Sequence, residues 1–195
     1  MNYANIKFND IANGEGVRTS LFVSGCTHHC KGCFNSETWD FNFGKPYTKE
    51  VEDKIIESLR PAHINGLTLL GGEPMEPANQ KVLLELVKRV KKEFPNKNIW
   101  CYSGYLFDEE LTKPSRAYAP WTSEFLSYID VLIDGEFKID LKDITLRFKG
   151  SSNQRIIDVQ ESLKQNKVVL SPFNEKTTIR KMVVENQQKQ KANQL

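Results

Sequence analysis

"TSLFVSGCTHHCKGC", residues 19–33, joins an apolar, partly β-branched run to three cysteines and two histidines. The run ends in Gly25, directly before Cys26. It reads as a buried strand whose last residue hands the chain to a tight loop. The cysteines fall at Cys26-x3-Cys30-x2-Cys33, and the fourth cysteine, Cys101, lies far down the chain.

The rest of the chain repeats the pattern of a strand followed by a helix. Thr48 is placed to cap a helix through residue 59, with Glu50 and Glu52 in its first turn and Val51, Ile55 and Leu59 recurring every four residues. "GLTLLGG" (66–72) is a second strand closed by two glycines. "QKVLLELVKRVKKEF" (80–94) is an amphipathic helix stopped by Pro95. "NIWCYSG" (98–104) and "DVLIDGEF" (130–137) read as a third and a fourth strand, joined through a short helix near 122–128, and "KVVLSPF" (167–173) as a late one. This alternation predicts an α/β fold with a mainly parallel sheet. Ligands of such sheets bind at the carboxyl ends of strands. Those ends carry Cys26 onward, Gly71-Gly72-Glu73-Pro74, Ser103-Gly104 and Asp134-Gly135, so one site built from four strand ends is expected.

Composition narrows the function. The chain has 195 residues, 39% hydrophobic and 27% charged, with a formal net charge of +2. That suits a single soluble domain, over residues 1–173, and disfavours a nucleic-acid binder, which would carry a strong basic excess. No apolar run approaches the ~20 residues that span a bilayer, and "MNYANIKFND" is too polar for a secretory signal. A cytoplasmic protein is expected, where clustered thiols point to metal or redox chemistry rather than disulfides. The segment 174–195 reads as a polar tail; from Lys176 on it holds five Lys or Arg against one Glu.

Three thiols in eight residues leave a choice of metal. Zinc wants four ligands, which His28 or His29 would complete, although the spacing is tight for a tetrahedral site. An electron-transfer 4Fe–4S cluster wants four cysteines. A 4Fe–4S cluster with one open iron needs only three. Gly25 and Gly32 let the loop fold around sulfur. His28 and His29 are otherwise expected at the loop surface, and Cys101 as a buried strand thiol.

Cys-x3-Cys-x2-Cys after a first strand, followed by "GGEP" (71–74) after the next, resembles the radical S-adenosylmethionine enzymes. The stretches 8–39, 98–105, 130–137 and 148–159 are together similar to the activating proteins of anaerobic ribonucleoside-triphosphate reductases. The chain departs from that pattern in having "GGEP" for the commoner Gly-Gly-Asp-Pro, a lengthened connection "TKPSRAYAPWT" (112–122), and the tail. The resemblance implies a partial, open β/α barrel. It implies that Cys26, Cys30 and Cys33 hold three irons of a 4Fe–4S cluster, and that S-adenosylmethionine binds the fourth. Cleavage by one electron would leave a 5′-deoxyadenosyl radical that takes a hydrogen atom from a glycine of the reductase. No side-chain acid or base is then needed, and no catalytic side chain is expected. Gly32, Cys33, Phe34, Gly71, Gly72, Glu73 and Asp134 are the implied cofactor contacts. Phe34 would face the adenine, Gly71 and Gly72 the methionine end, and Asp134 serves equally well as a turn carboxylate. Gly72→Val is expected to fill space beside the methionine yet spare the cluster. "GSSNQR" (150–155) is a polar cap over the site or a plain loop. The implied partners are the reductase and a reductant such as reduced flavodoxin, with neither nucleic acid nor membrane. The alternatives are an activase of the pyruvate formate-lyase type, a small radical enzyme of deazapurine synthesis, and a non-enzymatic metal-binding or electron-transfer module.

Overall fold

A computed structural model of the chain describes residues 1–174. Seven strands form one mixed sheet: β1 (Asn2–Asp10), β2 (Val17–Val23), β3 (Lys45–Pro46), β4 (Ile64–Gly71), β5 (Asn98–Tyr102), β6 (Val131–Asp134) and β7 (Arg155–Asp158), in the order β3-β1-β2-β4-β5-β6-β7. The centre, β2-β4-β5-β6, is parallel. The flanks β3-β1-β2 and β6-β7 are antiparallel. The α/β class and the parallel centre follow the sequence reading; the antiparallel flanks add to it. The tail from residue 175 lies outside the described residues.

Four helices complete the fold: α1 (Lys49–Leu59), α2 (Pro77–Glu93), α3 (Thr122–Tyr128) and α4 (Val159–Gln165). α1 starts after Thr48, and buries Ile55, Ile56 and Leu59. α2 starts three residues before the expected position, at Pro77, because a proline at the first helical position loses no hydrogen bond that the helix needs. It buries Leu83, Leu84, Leu86, Val87 and Val90. These helices share one core with alternate strand residues: Leu21 and Val23, Leu67 and Leu69, Ile99 and Cys101, Leu132, and Ile157. With a strand period of two, Phe22, Leu70, Tyr102 and Ile133 point to the other face. There Trp100, Ile133 and Ile156 pack with Phe148 and Phe173 from loops. Among the described residues, no helix is long and apolar enough to cross a membrane.

Three elements differ from expectation. The run 167–173 is not a strand: Leu170 makes a single bridge to Ile157, and a 3-10 turn begins at Pro172, which has no N–H to continue a ladder. β1 is an addition to the sequence reading: Ile6 and Phe8 alternate with Asn5, Lys7 and Asn9, but the stretch is polar overall and most of its residues keep some exposure. β6 stops at Asp134, short of residue 137, as Gly135 turns with φ +99°.

Candidate iron–sulfur site

The carboxyl ends of β2, β4, β5 and β6 meet, as the pattern of glycines predicted. A cavity of about 160 Å³ there is lined by Cys26, Cys30, Cys33 and Phe34, by Gly71, Gly72 and Glu73, by Ser103 and Gly104, and by Gly135, Phe137 and Gln154. A second cavity, about 500 Å³, adjoins it and shares Phe34, Tyr102 and Gln154 among its walls.

The cysteine loop is held from several sides. Gly25 N–H donates to Thr38 O at 2.8 Å and Cys26 N–H to Trp39 O at 3.1 Å. Glu73 N–H donates to Gly25 O at 2.8 Å, and Gly72 N–H to Val23 O at 2.8 Å, so the Gly-Gly-Glu turn is stitched to the loop's base. Asn79, buried at the start of α2, donates to both Ser24 O and Glu73 O. Glu76 accepts from the Thr27 amide at 2.9 Å and its hydroxyl at 2.6 Å.

The Asn35 amide donates to Cys33 Sγ at 3.4 Å. The backbone amides of His28 and His29 favour the thiolate of Cys26, and that of Phe137 the thiolate of Cys30. Amide donors on sulfur are what tune and hold a thiolate cluster. Burial pushes the Cys26 thiol up to about 12, with the charge of Glu73 adding to it. Burial and then Glu136 raise Cys30. These thiols therefore give up protons on binding metal. Among the described residues, no three His, Cys, Asp or Glu side chains converge as a single ion requires. The three cysteine donors fit a cluster, each of whose ligands binds a different iron.

The other anticipated residues fall into two groups. Phe34, two-thirds exposed, lines both cavities, with Phe137 tilted against it at 5.3 Å and Lys142 over its ring. Gly71 and Gly72 line the cavity with their backbone. A Cβ on Gly72 would meet Gly25 O at 2.7 Å and Thr38 O at 2.9 Å, so it would strike the cysteine loop. The expectation that valine there spares the cluster is corrected: the glycine is needed by the loop that carries the thiols. Glu73 is 1% exposed, and its carboxylate is committed to the amides of Met75 and Gly104. Gly32 stands just off the cavity, turning the loop at φ +74° against Ile139. Asp134 is also outside the lining: fully buried, it accepts from the Phe107 amide at 2.8 Å and pairs with Arg155. Cys101 is fully buried as expected, and burial raises its pKa.

Two features were not legible beforehand. The His28 side chain is 2% exposed rather than at the surface, with Nδ1 2.7 Å from Glu136 Oε1 and Nε2 3.1 Å from Glu73 Oε2. Burial works against its charge, but the two carboxylates outweigh it and hold the imidazole above its ordinary value. His29 is the exposed one, against Trp39. Gln154, in the segment left as cap or loop, does border the cavity: its amide donates to Gly135 O and its oxygen accepts from Gly150 N–H. No local pattern marks either residue, because their partners are distant in sequence.

Three cysteines on one loop, at the carboxyl end of the parallel centre of the sheet, mark a class, the single-cluster iron–sulfur proteins. Residues 12–157 match the family model described as "4Fe-4S single cluster domain". The chain is 48% identical over 158 residues to the anaerobic ribonucleoside-triphosphate reductase-activating protein of Vibrio cholerae, covering 80% of this chain and 97% of that protein. It is 44% identical over 156 residues to the protein of that name from Escherichia coli K12 (79% and 96%), and 39% identical over 156 residues to that of Enterobacteria phage T4 (80% and 93%). The chain belongs to the family of anaerobic ribonucleoside-triphosphate reductase-activating proteins.

Proposed function

We propose that this chain activates an anaerobic ribonucleoside-triphosphate reductase by placing a radical on a glycine of that enzyme. Cys26, Cys30 and Cys33 hold a 4Fe–4S cluster, and S-adenosylmethionine occupies the adjoining cavity. When bound, the two supply what no side chain here offers: one-electron cleavage of the sulfonium and removal of a hydrogen atom from glycine. The chain's own part is placement. Backbone hydrogen bonds at Gly25 and Cys26, and the Asn35 amide on Cys33, hold the loop that carries the sulfurs. The Gly71–Gly72 peptides present hydrogen-bonding groups to the methionine end, Phe34 offers an aromatic face to the adenine, and Glu73 braces the turn that holds them. Gly32 shapes the loop before Cys33. Asp134 acts from behind, through Phe107 and Arg155, on the strand end at Gly135. Electrons come from an outside reductant such as reduced flavodoxin.

We also infer that the sheet is an open β/α barrel. β2, β4, β5 and β6 follow one another in chain order without a reversal. All four helices contribute to the core on one face. That is the winding of a barrel rather than of a doubly wound sheet.

The observation that carries the activase reading is the set of three thiols from one loop around a cavity walled by Gly71 and Gly72. Anaerobic reconstitution should give about four irons and four sulfides per chain, and S-adenosylmethionine should change the EPR spectrum of the reduced cluster. Added to a reductase, the mixture should yield a glycyl radical, methionine and 5′-deoxyadenosine, and none with an alanine at the target glycine. A radical formed on pyruvate formate-lyase but not on the reductase would move the assignment to the sister activase. Stoichiometric zinc without iron would remove it.

A further inference from the structure

We propose that His28 is a positioning residue that locks the cysteine loop to three strand ends and, through Glu73, sets the Gly71–Gly72 backbone for S-adenosylmethionine. The proposal rests on the cluster reading above.

The imidazole sits on a loop between two iron-binding positions, yet its side chain is 2% exposed. It reaches the end of β4 through Glu73 Oε2, at 3.1 Å, and the stretch after β6 through Glu136 Oε1, at 2.7 Å. It meets the end of β5 face to face: a Cβ on Gly104 would lie 2.6 Å from its Cδ2 and Nε2, so glycine at 104 makes room for the ring. Tyr105 flanks it at 4.3 Å between ring centroids.

Nδ1 is turned to protein groups, also lying 3.3 Å from Arg116 Nη2. Nε2 stands 3.1 Å from Glu73 Oε2 as an ion-pair contact without hydrogen-bond geometry, and the ring borders the cavity. Arg116 comes from the lengthened connection 112–122 and also donates to Thr27 Oγ1 at 3.2 Å, so that insertion braces the loop from behind. Glu73 Oε2, the oxygen facing His28, accepts from the Gly104 amide at 2.7 Å, while Oε1 accepts from Met75 at 2.8 Å. One imidazole thus bears on the carboxylate that holds the Gly-Gly turn in place.

The two contacts separate by substitution. A glutamine amide reaches the Nε2 position, toward Glu73; an asparagine amide reaches the Nδ1 position, toward Glu136. Reconstituted His28→Ala and His28→Asn should keep wild-type iron and sulfide but bind S-adenosylmethionine about 10-fold more weakly, the worth of one buried polar contact. His28→Gln should stay within about 3-fold. In the metal-free protein, His28→Ala should speed amide exchange at residues 27–33 about 10-fold and leave α2 unchanged. Equal affinities across the three variants, rescue by asparagine rather than glutamine, or unchanged exchange would each overturn the proposal, and loss of iron in all three would make His28 a ligand instead. If the unsubstituted protein took up no iron, the activase reading would fall, while the exchange comparison would still report on the clamp.

Discussion

Replacing Gly72 by alanine tests whether the Gly-Gly turn serves the cavity or the cysteine loop. The backbone at Gly72 is not in the left-handed region, so alanine incurs no conformational strain there. The cost is steric. The new methyl would sit 2.7 Å from Gly25 O and 2.9 Å from Thr38 O, both backbone atoms that cannot rotate away. Relief requires the turn and the loop to part, which weakens the Glu73 N–H to Gly25 O and Gly25 N–H to Thr38 O bonds, each 2.8 Å. Overpacking costs ~1–3 kcal/mol, and each weakened bond up to ~1, so about 3 kcal/mol is expected. For a chain of this length that lowers Tm by ~6–12 °C. The melt of the metal-free protein should show it, and iron uptake should fall as the thiols move. Gly135→Ala is the contrast. Its Cβ would find nothing closer than 3.7 Å, but φ is +99°, so only strain of ~1–2 kcal/mol applies, with iron uptake intact. A Gly72→Ala protein that melts within 2 °C of wild type and loads its full iron would refute the reasoning.

Cys30→Ala should abolish iron binding, whereas Cys101→Ala should bind iron fully and lose only ~1–2 kcal/mol of stability from its small cavity; iron assay and melting curves distinguish them, and retained iron in Cys30→Ala would break the ligand assignment. Arg155→Leu leaves the buried Asp134 carboxylate without its cation and should cost ~3 kcal/mol, partly restored by Asp134→Asn in the same chain; a lone Arg155→Leu that melts like wild type would show that another group carries the compensation. Phe34→Ala removes an exposed ring, so stability should hardly change, while S-adenosylmethionine binding weakens ~5–10-fold for a lost aromatic contact; unchanged affinity by titration would put the adenine elsewhere.

What could be read in the sequence was what local patterns encode. β2 and β4 showed as apolar runs closed by glycines, and α1 and α2 by their period and their stops. The thiols were legible because their spacing lies within one loop. What could not be read depends on contacts between distant segments. β1 pairs along β2, yet its alternation is confined to Ile6 and Phe8 in an otherwise polar stretch. The late strand failed because 168–170 is apolar enough for a strand but makes one bridge before Pro172. His28 looked like any loop histidine, since Glu73 and Glu136 come to it from other strands. The close approach of Gly72 to the Gly25 and Thr38 carbonyls is likewise invisible in the sequence, since both come from other segments.

The two faces of the sheet explain why a protein segment suits this site as substrate. One face is closed by four helices and carries most of the buried apolar residues. The other is closed only in part. Phe148 and Phe173 pack over Trp100, with Arg18 against the same ring, and that cover belongs to the chain itself. Beside it, toward the thiols, Phe22, Leu70 and Tyr102 line the larger cavity instead. On this face the cavity is bordered by loop residues Leu146, Phe148 and Gly150 rather than by a helix. Radical chemistry needs water kept away. On the activase reading, the cover is the reductase. A glycine there, without a Cβ, lets its backbone enter between Phe34 and Tyr102 at the least steric cost. The same opening that would disable an enzyme for a small metabolite is what a protein substrate requires.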